Sequence, residues 1–160
     1  MANCRQACRT EIARLGISNN VTLENVRSDA ADLLSLFDIY CLPSVYEGLS
    51  IALLEAMAMQ KAIIASPVNA TLDIIAHNID GMLVAAGTPE DWKNSIVKLH
   101  NNPGQRRELG KRARMLVKAH YNIMGTTSKL RELYYNMIPQ EREPSKVKPE
   151  LQSENFMQSV

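Results

Sequence analysis

Two glutamates, Glu47 and Glu55, carry the strongest chemical signal in this 160-residue sequence. Glu55 is the only charged residue between Glu47 and Lys61, in a run that is otherwise apolar, small or neutral. A carboxylate buried in such a run without a partner costs on the order of several kcal/mol. It must reach solvent, meet a basic side chain, or receive hydrogen bonds from a ligand. A carboxylate gripping two neighbouring sugar hydroxyls meets the last condition. Glu47 alone is less specific, because a loop glutamate is usually solvated. Gly48, Leu49 and Ser50 follow it. Gly48 lets backbone approach a ligand closely. The amides of Leu49, Ser50 and Ile51 stand at the start of an expected helix, where unsatisfied N–H groups and the helix dipole favour anions. A diphosphate belongs there on physical grounds.

Other residue types offer less. Cys4 and Cys8 are spaced as one helix face would space a metal pair, but no second pair of ligands follows, and a structural zinc site wants four. With Cys41 the thiol count is odd, which argues against a disulfide framework and fits a reducing cytoplasm. His77, His100 and His120 lack any spacing suited to a metal or a triad and read as structural or surface histidines. Ser44 and Ser66 have no histidine base beside them, so nucleophilic catalysis is not expected. Trp92, Tyr134 and Tyr135 read as packing or interface residues. The net charge of +1 supplies no global field for nucleic acid or an anionic membrane. Nothing approaches the ~20 apolar residues of a membrane span, and the first residues carry no apolar run of the secretory kind.

The elements that must position the glutamates follow from the apolar pattern. Residues 39–42 and 62–65 are short continuous apolar runs ending at Pro43 and at Ser66-Pro67. Such runs suit strands buried on both faces. Residues 82–84 form a third. Helices are expected over 50–60 and 71–76, between the runs. Strand, helix, strand, helix, strand implies a parallel sheet with crossover helices. Upstream, a helix over 3–15 is closed by Gly16, Val21, Leu23 and Val26 suggest a further short strand, and a helical turn begins at Asp29. Downstream the chain turns helical. Thr88 caps a helix with Pro89 at its first position and Ile96, Val97 and Leu99 or His100 inward. Pro103 opens another, with Leu109, Ala113, Leu116 and Val117 at helical spacing. A last amphipathic helix spans 125–138 through Leu130, Leu133, Tyr134 and Met137. Residues 139–160 are polar and aperiodic and read as a disordered tail. The domain is thus expected over 1–138.

The segment around the glutamates resembles glycosyltransferase family 4. Pro43-Ser44, Glu47-Gly48 and Leu54-Glu55-Ala56-Met57-Ala58 match that family's framework in register. The resemblance runs over about residues 5–138. It implies the two-domain GT-B fold, of which this chain would hold an incomplete Rossmann-like parallel sheet from the C-terminal half. It implies sugar transfer, with retention at the anomeric carbon, from a UDP-, GDP- or ADP-sugar to an acceptor hydroxyl. Glu47 would contact the donor sugar near the reacting carbon. Amides of Gly48, Leu49 and Ser50 would hold the diphosphate, and Glu55 the ribose hydroxyls. Family members generally need no metal there, and no aspartate-x-aspartate motif occurs in this chain. The expected location is cytoplasmic, or peripheral at a membrane through a full-length enzyme.

The sequence also departs from the family. Gln60 stands where glycine is usual, after a helix, where a left-handed conformation would cost about 1 kcal/mol. Asn69 and Ala70 replace two glycines and Asp73 a glutamate. The family's basic pair, two central strands and N-terminal acceptor-binding domain have no counterpart in these residues. Arg5, Arg9 and Arg14 do not fit the basic pair and read as solvated helix charges. The strand at 39–42 must then pair with the strand near 21–26 or remain an open apolar edge. The isolated chain is expected to transfer little or no sugar without that domain or a complementing chain. A non-catalytic nucleotide-binding or interaction module is the alternative, and a fragment of a GT-B nucleotide-sugar epimerase a further one.

Overall fold

A computed structural model describes residues 4–85 and 88–138. The tail over 139–160, and residue 3 of the first expected helix, lie outside the described residues. The chain divides into two compact units, the first ending at Ala119 and the second beginning at His120.

In the first unit the elements run α1 (Cys4–Arg14), α2 (Ala30–Ser35), β1 (Ile39–Leu42), α3 (Ile51–Ala58), β2 (Ala62–Ala65), α4 (Asn69–Ile74), β3 (Met82–Leu83), α5 (Pro89–His100) and α6 (Pro103–His120), whose last residue begins the second unit. The sheet is parallel throughout, in the order β1-β2-β3. Ile39 is registered with Ala62 and Cys41 with Ile64, while Ile64 is registered with Met82. The apolar runs become strands as expected, and β2, in the middle, is buried at all four positions. β1 is not. Its residues are half-buried or exposed, because only β2 flanks it.

The strand expected near 21–26 does not form. Those residues carry no regular secondary structure and pair with no strand, and Val26 is fully exposed. Arg5 on α1 instead donates to the carbonyls of Leu23 and Glu24, at 2.7 and 2.9 Å, and to Asn25 Oδ1 at 2.6 Å. Two of the carbonyls a ladder would need are thus held by a guanidinium. Arg5 is therefore a staple between α1 and this segment, not a merely solvated charge.

One part of the core lies on the α5–α6 face of the sheet. Ala62, Ile64, Met82 and Val84 pack with Leu99 of α5 and Leu109 of α6, and Ile39 and Trp92 lean on the cluster. Fully burying a side chain such as Ile64 or Leu99 contributes about 1.5–3 kcal/mol. Leu109, Ala113 and Val117 face inward from α6 as their spacing requires. On α5 the inward stripe is Trp92, Ser95 and Leu99, while Ile96 and Val97 are exposed. α3 packs against β1 and β2, with Leu53, Ala56 and Met57 fully buried.

Basic side chains close three helix ends, where carbonyls lack partners. Lys61 Nζ donates to Ser35 O of α2 at 2.7 Å, Arg114 to Ala58 O of α3 at 2.8 Å, and Arg106 to Leu99 O and His100 O of α5 at 2.7 and 2.6 Å. Gln60 takes the left-handed conformation, with φ at +60°. Asn69 and Ala70 do not, since both lie in α4.

The second unit contains α7 (Ile123–Met137). Asn122 caps it, its Oδ1 accepting from the Gly125 amide at 2.7 Å.

Candidate functional site

The connection from β1 to α3 carries the two glutamates. β1 ends at Leu42, and Pro43 cannot donate to a ladder, so the chain leaves the sheet there. Ser44 Oγ donates to Glu47 Oε2 at 3.0 Å. That bond spans three residues and fixes a half-buried Glu47 against the turn. Gly48 is exposed, and a Cβ added to it would meet nothing within 4 Å. Open space therefore adjoins the backbone where Gly48 and Leu49 pass.

Ser50 is buried and caps α3. Its Oγ accepts from the Leu53 amide at 3.4 Å, and its carbonyl accepts from the Leu54 amide at 3.2 Å. The cap orients the first turn of α3, whose amides have no carbonyl one turn earlier to accept them. The Ser50 hydroxyl accepts in that cap, which leaves its own proton and the Ser50 backbone amide as the donors of this residue.

Glu55 lies one turn further along α3. The neighbouring Ala56 and Met57 are fully buried, but Glu55 is exposed. Of the outcomes open to this carboxylate in the sequence, the structure selects solvent. No burial cost arises, and the residue faces solvent. Leu49 and Ile51 are exposed too, so the apolar run over 49–59 is buried on one side only.

The two carboxylates act on a common neighbour. Burial first, and then the negative charges of Glu47 and Glu55, push the Tyr40 phenol above its ordinary value. Tyr40 is half-buried on β1.

The remaining candidates stand apart from this turn. His77 Nδ1 accepts from the Leu83 amide at 2.9 Å and so closes the entry to β3, a structural role. Asp80 is buried and accepts from the Ala76 amide at 2.8 Å. Desolvation holds its carboxyl above the usual range, against the lowering effect of that bond. The three cysteines are free and exposed. No group of three or more His, Cys, Asp or Glu side chains among the described residues is arranged to hold a metal ion. No helix among them is long and apolar enough to cross a membrane.

The sequence pattern described as glycosyl transferases group 1 matches residues 4–116. An uncharacterized glycosyltransferase of Methanocaldococcus jannaschii is 31% identical over 103 residues, which are 63% of this chain and 26% of that protein. The UDP-Gal:alpha-D-GlcNAc-diphosphoundecaprenol alpha-1,3-galactosyltransferase of Escherichia coli is 24% identical over 124 residues, 78% of this chain and 32% of that protein. Among solved structures, HepE of Anabaena in complex with UDP superposes with a TM-score of 0.79 at 19% identity, over 82% of this chain and 36% of that one. The same protein in complex with UDP-glucose gives 0.78. The small parallel sheet flanked by helices is thus part of the GT-B glycosyltransferase fold. The chain spans about a quarter to a third of the length of these relatives. It belongs to the glycosyl transferases group 1 family.

Proposed function

We propose that this member of the glycosyl transferases group 1 family supplies the donor-binding part of a retaining transferase that moves a sugar from a nucleotide-diphosphate sugar to an acceptor hydroxyl. The observation that carries the reading is the β1–α3 turn. It joins a Ser44-held Glu47, open backbone at Gly48 and an outward-facing Glu55 on one strand-to-helix connection. Ligands of open parallel sheets bind at that edge. In this reading amides of Gly48, Leu49 and Ser50 receive the diphosphate, which the helix dipole favours. Glu55 accepts from the ribose hydroxyls. Glu47 lies at the donor sugar and stabilises the positive character that develops at its reacting carbon. Amides and dipole neutralise the phosphates, so no metal is required. UDP is the first nucleotide to test, because HepE was solved with UDP and UDP-glucose.

Calorimetry with UDP and GDP on the wild-type chain and on Glu55→Ala tests the site. Binding of one nucleotide, weakened about tenfold or more by the substitution, is expected, since a carboxylate bond to a hydroxyl is worth roughly 1.5–3 kcal/mol. A folded chain that binds neither of these, nor ADP, overturns the proposal. The isolated chain is expected to transfer little or no sugar, because the acceptor site is placed on another domain or a complementing polypeptide. Rapid transfer by the purified chain alone would refute that clause. Retention is read from the anomeric configuration of the product made by an active assembly.

The open edge of β1 supports a second reading, in which the chain serves as a nucleotide-binding or interaction module that completes its sheet with another polypeptide. Unimpaired partner binding by Glu47→Gln and Glu55→Gln variants would favour it.

A further inference from the structure

The charges of this chain balance overall but not along its length. Between residues 24 and 91 stand ten acidic and two basic residues, and between 93 and 118 eight basic and one acidic. The near-neutral total therefore hides a strongly basic stretch, most of it on α6. Part of that charge serves the fold. Arg106 and Arg114 donate to carbonyls at the ends of α5 and α3. Arg112 pairs with Glu108, and Lys93 with Glu90. On α6 this leaves Arg107, Lys111 and Lys118, all exposed. No carboxylate among the described residues pairs with Arg107 or Lys111.

Helical geometry turns these three into a stripe. Steps of four and seven residues return to one side of a helix, within an arc of about 40° and along about 16 Å of its axis. Leu109, Ala113 and Val117 are buried, so the stripe stands on the side of α6 turned away from the core. Met115 lies between Lys111 and Lys118 and is 63% exposed. Like charges four residues apart repel and weaken a helix. Arg107 and Lys111 therefore oppose the fold slightly, and an anionic surface would relieve them.

We propose that the stripe of Arg107, Lys111 and Lys118 on α6 is a docking surface for an anionic lipid bilayer. Head-group phosphates receive the three cations, each worth about fivefold in affinity. Met115 enters the boundary between head groups and acyl chains, as the apolar side of an interfacial helix does. A bilayer thus matches both the charge and the exposed methionine. A single-stranded nucleic acid would be held by aromatic stacking as well, and α6 contains no Phe, Tyr or Trp. The surface needs neither the β1–α3 turn nor a nucleotide, so it stands or falls apart from the donor site.

The test is co-sedimentation of the full chain with vesicles of phosphatidylcholine alone and of phosphatidylcholine mixed with phosphatidylglycerol, at low and high salt. Wild type is expected to bind only the phosphatidylglycerol vesicles and to be released by salt, which screens charges beyond about 10 Å. A variant carrying Arg107→Gln, Lys111→Gln and Lys118→Gln should bind about a hundredfold more weakly. A variant carrying Arg9→Gln, Lys129→Gln and Arg131→Gln removes equal charge from exposed positions elsewhere and should bind nearly as wild type does. Met115→Gln should lose about three- to tenfold. Thermal midpoints confirm that each variant is folded. Folded wild type that ignores phosphatidylglycerol, equal losses in the two triple variants, or an unchanged Met115→Gln overturns the inference. So does binding of a duplex DNA oligonucleotide through the same three residues without binding of vesicles, which would assign the stripe to nucleic acid.

Discussion

Ser44 holds Glu47 by a single hydroxyl-to-carboxylate bond of 3.0 Å. Removing it should free the glutamate without disturbing the core, since Ser44 lies outside the buried cluster. Ser44→Ala is expected to lower affinity for a nucleotide-sugar about three- to tenfold and to change stability by no more than about 1 kcal/mol. Calorimetry with UDP-glucose beside a urea melt would check both, and an unaltered affinity would count against a positioning role. Asp80 offers a pH test. Its folded carboxyl titrates above its unfolded value because burial disfavours the charge. Protonation is therefore favoured by folding. The associated stability is present at low pH and is lost as pH rises through the raised folded value. Asp80→Asn keeps an oxygen for the Ala76 amide and carries no charge. Its thermal midpoint should exceed that of wild type at neutral pH, and the gap should narrow as pH falls toward the carboxylate range. A gap independent of pH would refute the account. At this scale the glutamates and their turn were legible in the sequence, because a carboxylate in an apolar run is conspicuous. Whether Glu55 was buried or exposed was not, since that depends on how α3 rolls onto the sheet.

Gly110 lies in the middle of α6, where glycine costs about 1 kcal/mol relative to alanine. The reason is a close approach. A Cβ there would collide with the Gln60 carbonyl, whose carbon would lie only 2.7 Å away. Beside it Arg114 of α6 closes the end of α3. The left-handed Gln60 is thus pressed between the end of one helix and the flank of another. Gly110→Ala is expected to destabilise the chain by about 1–3 kcal/mol, the usual range for overpacking. Gly104→Ala, on the same helix with only Asn102 Oδ1 at 3.5 Å, should have little effect or a small gain. Equal urea midpoints for the two variants would contradict the packing argument. The three strands and the helices around them followed from apolar runs bounded by Pro43, Pro67 and the Thr88-Pro89 cap. The failures have physical causes. A strand near 21–26 needs a neighbour to receive its ladder bonds, and Arg5 holds its carbonyls instead. On α5 the buried stripe passes through Ser95, a small polar residue, so the inward face does not follow the apolar Ile96 and Val97.

For the molecule as a whole, the decisive feature is that β1 lies at the sheet edge. Natural edges are usually blunted by charge, proline or a bulge. Here Asp38 and Pro43 bracket the strand, but Ile39–Leu42 contains neither charge nor proline. The residues flanking it are unusually bare for apolar side chains. Leu36 is 78% exposed, Val45 90% and Tyr46 84%. An edge strand without charge or proline is a template for another strand, so this edge should seek a partner. In a longer polypeptide of the relatives' length, that partner can come from the remainder of the sheet. For the chain by itself, the available partner is a second copy, and concentration-dependent association through β1 is expected. Cys41 is exposed at the middle of the strand, so a lysine there would place charge on the edge with little cost to the core. Sedimentation velocity in reducing buffer, which prevents thiol cross-links, should show wild type shifting to larger species as concentration rises. Cys41→Lys should shift less, at a similar thermal midpoint. Wild type that remains a monomer across the range, or a lysine variant that associates equally well, would show that the edge is not the contact.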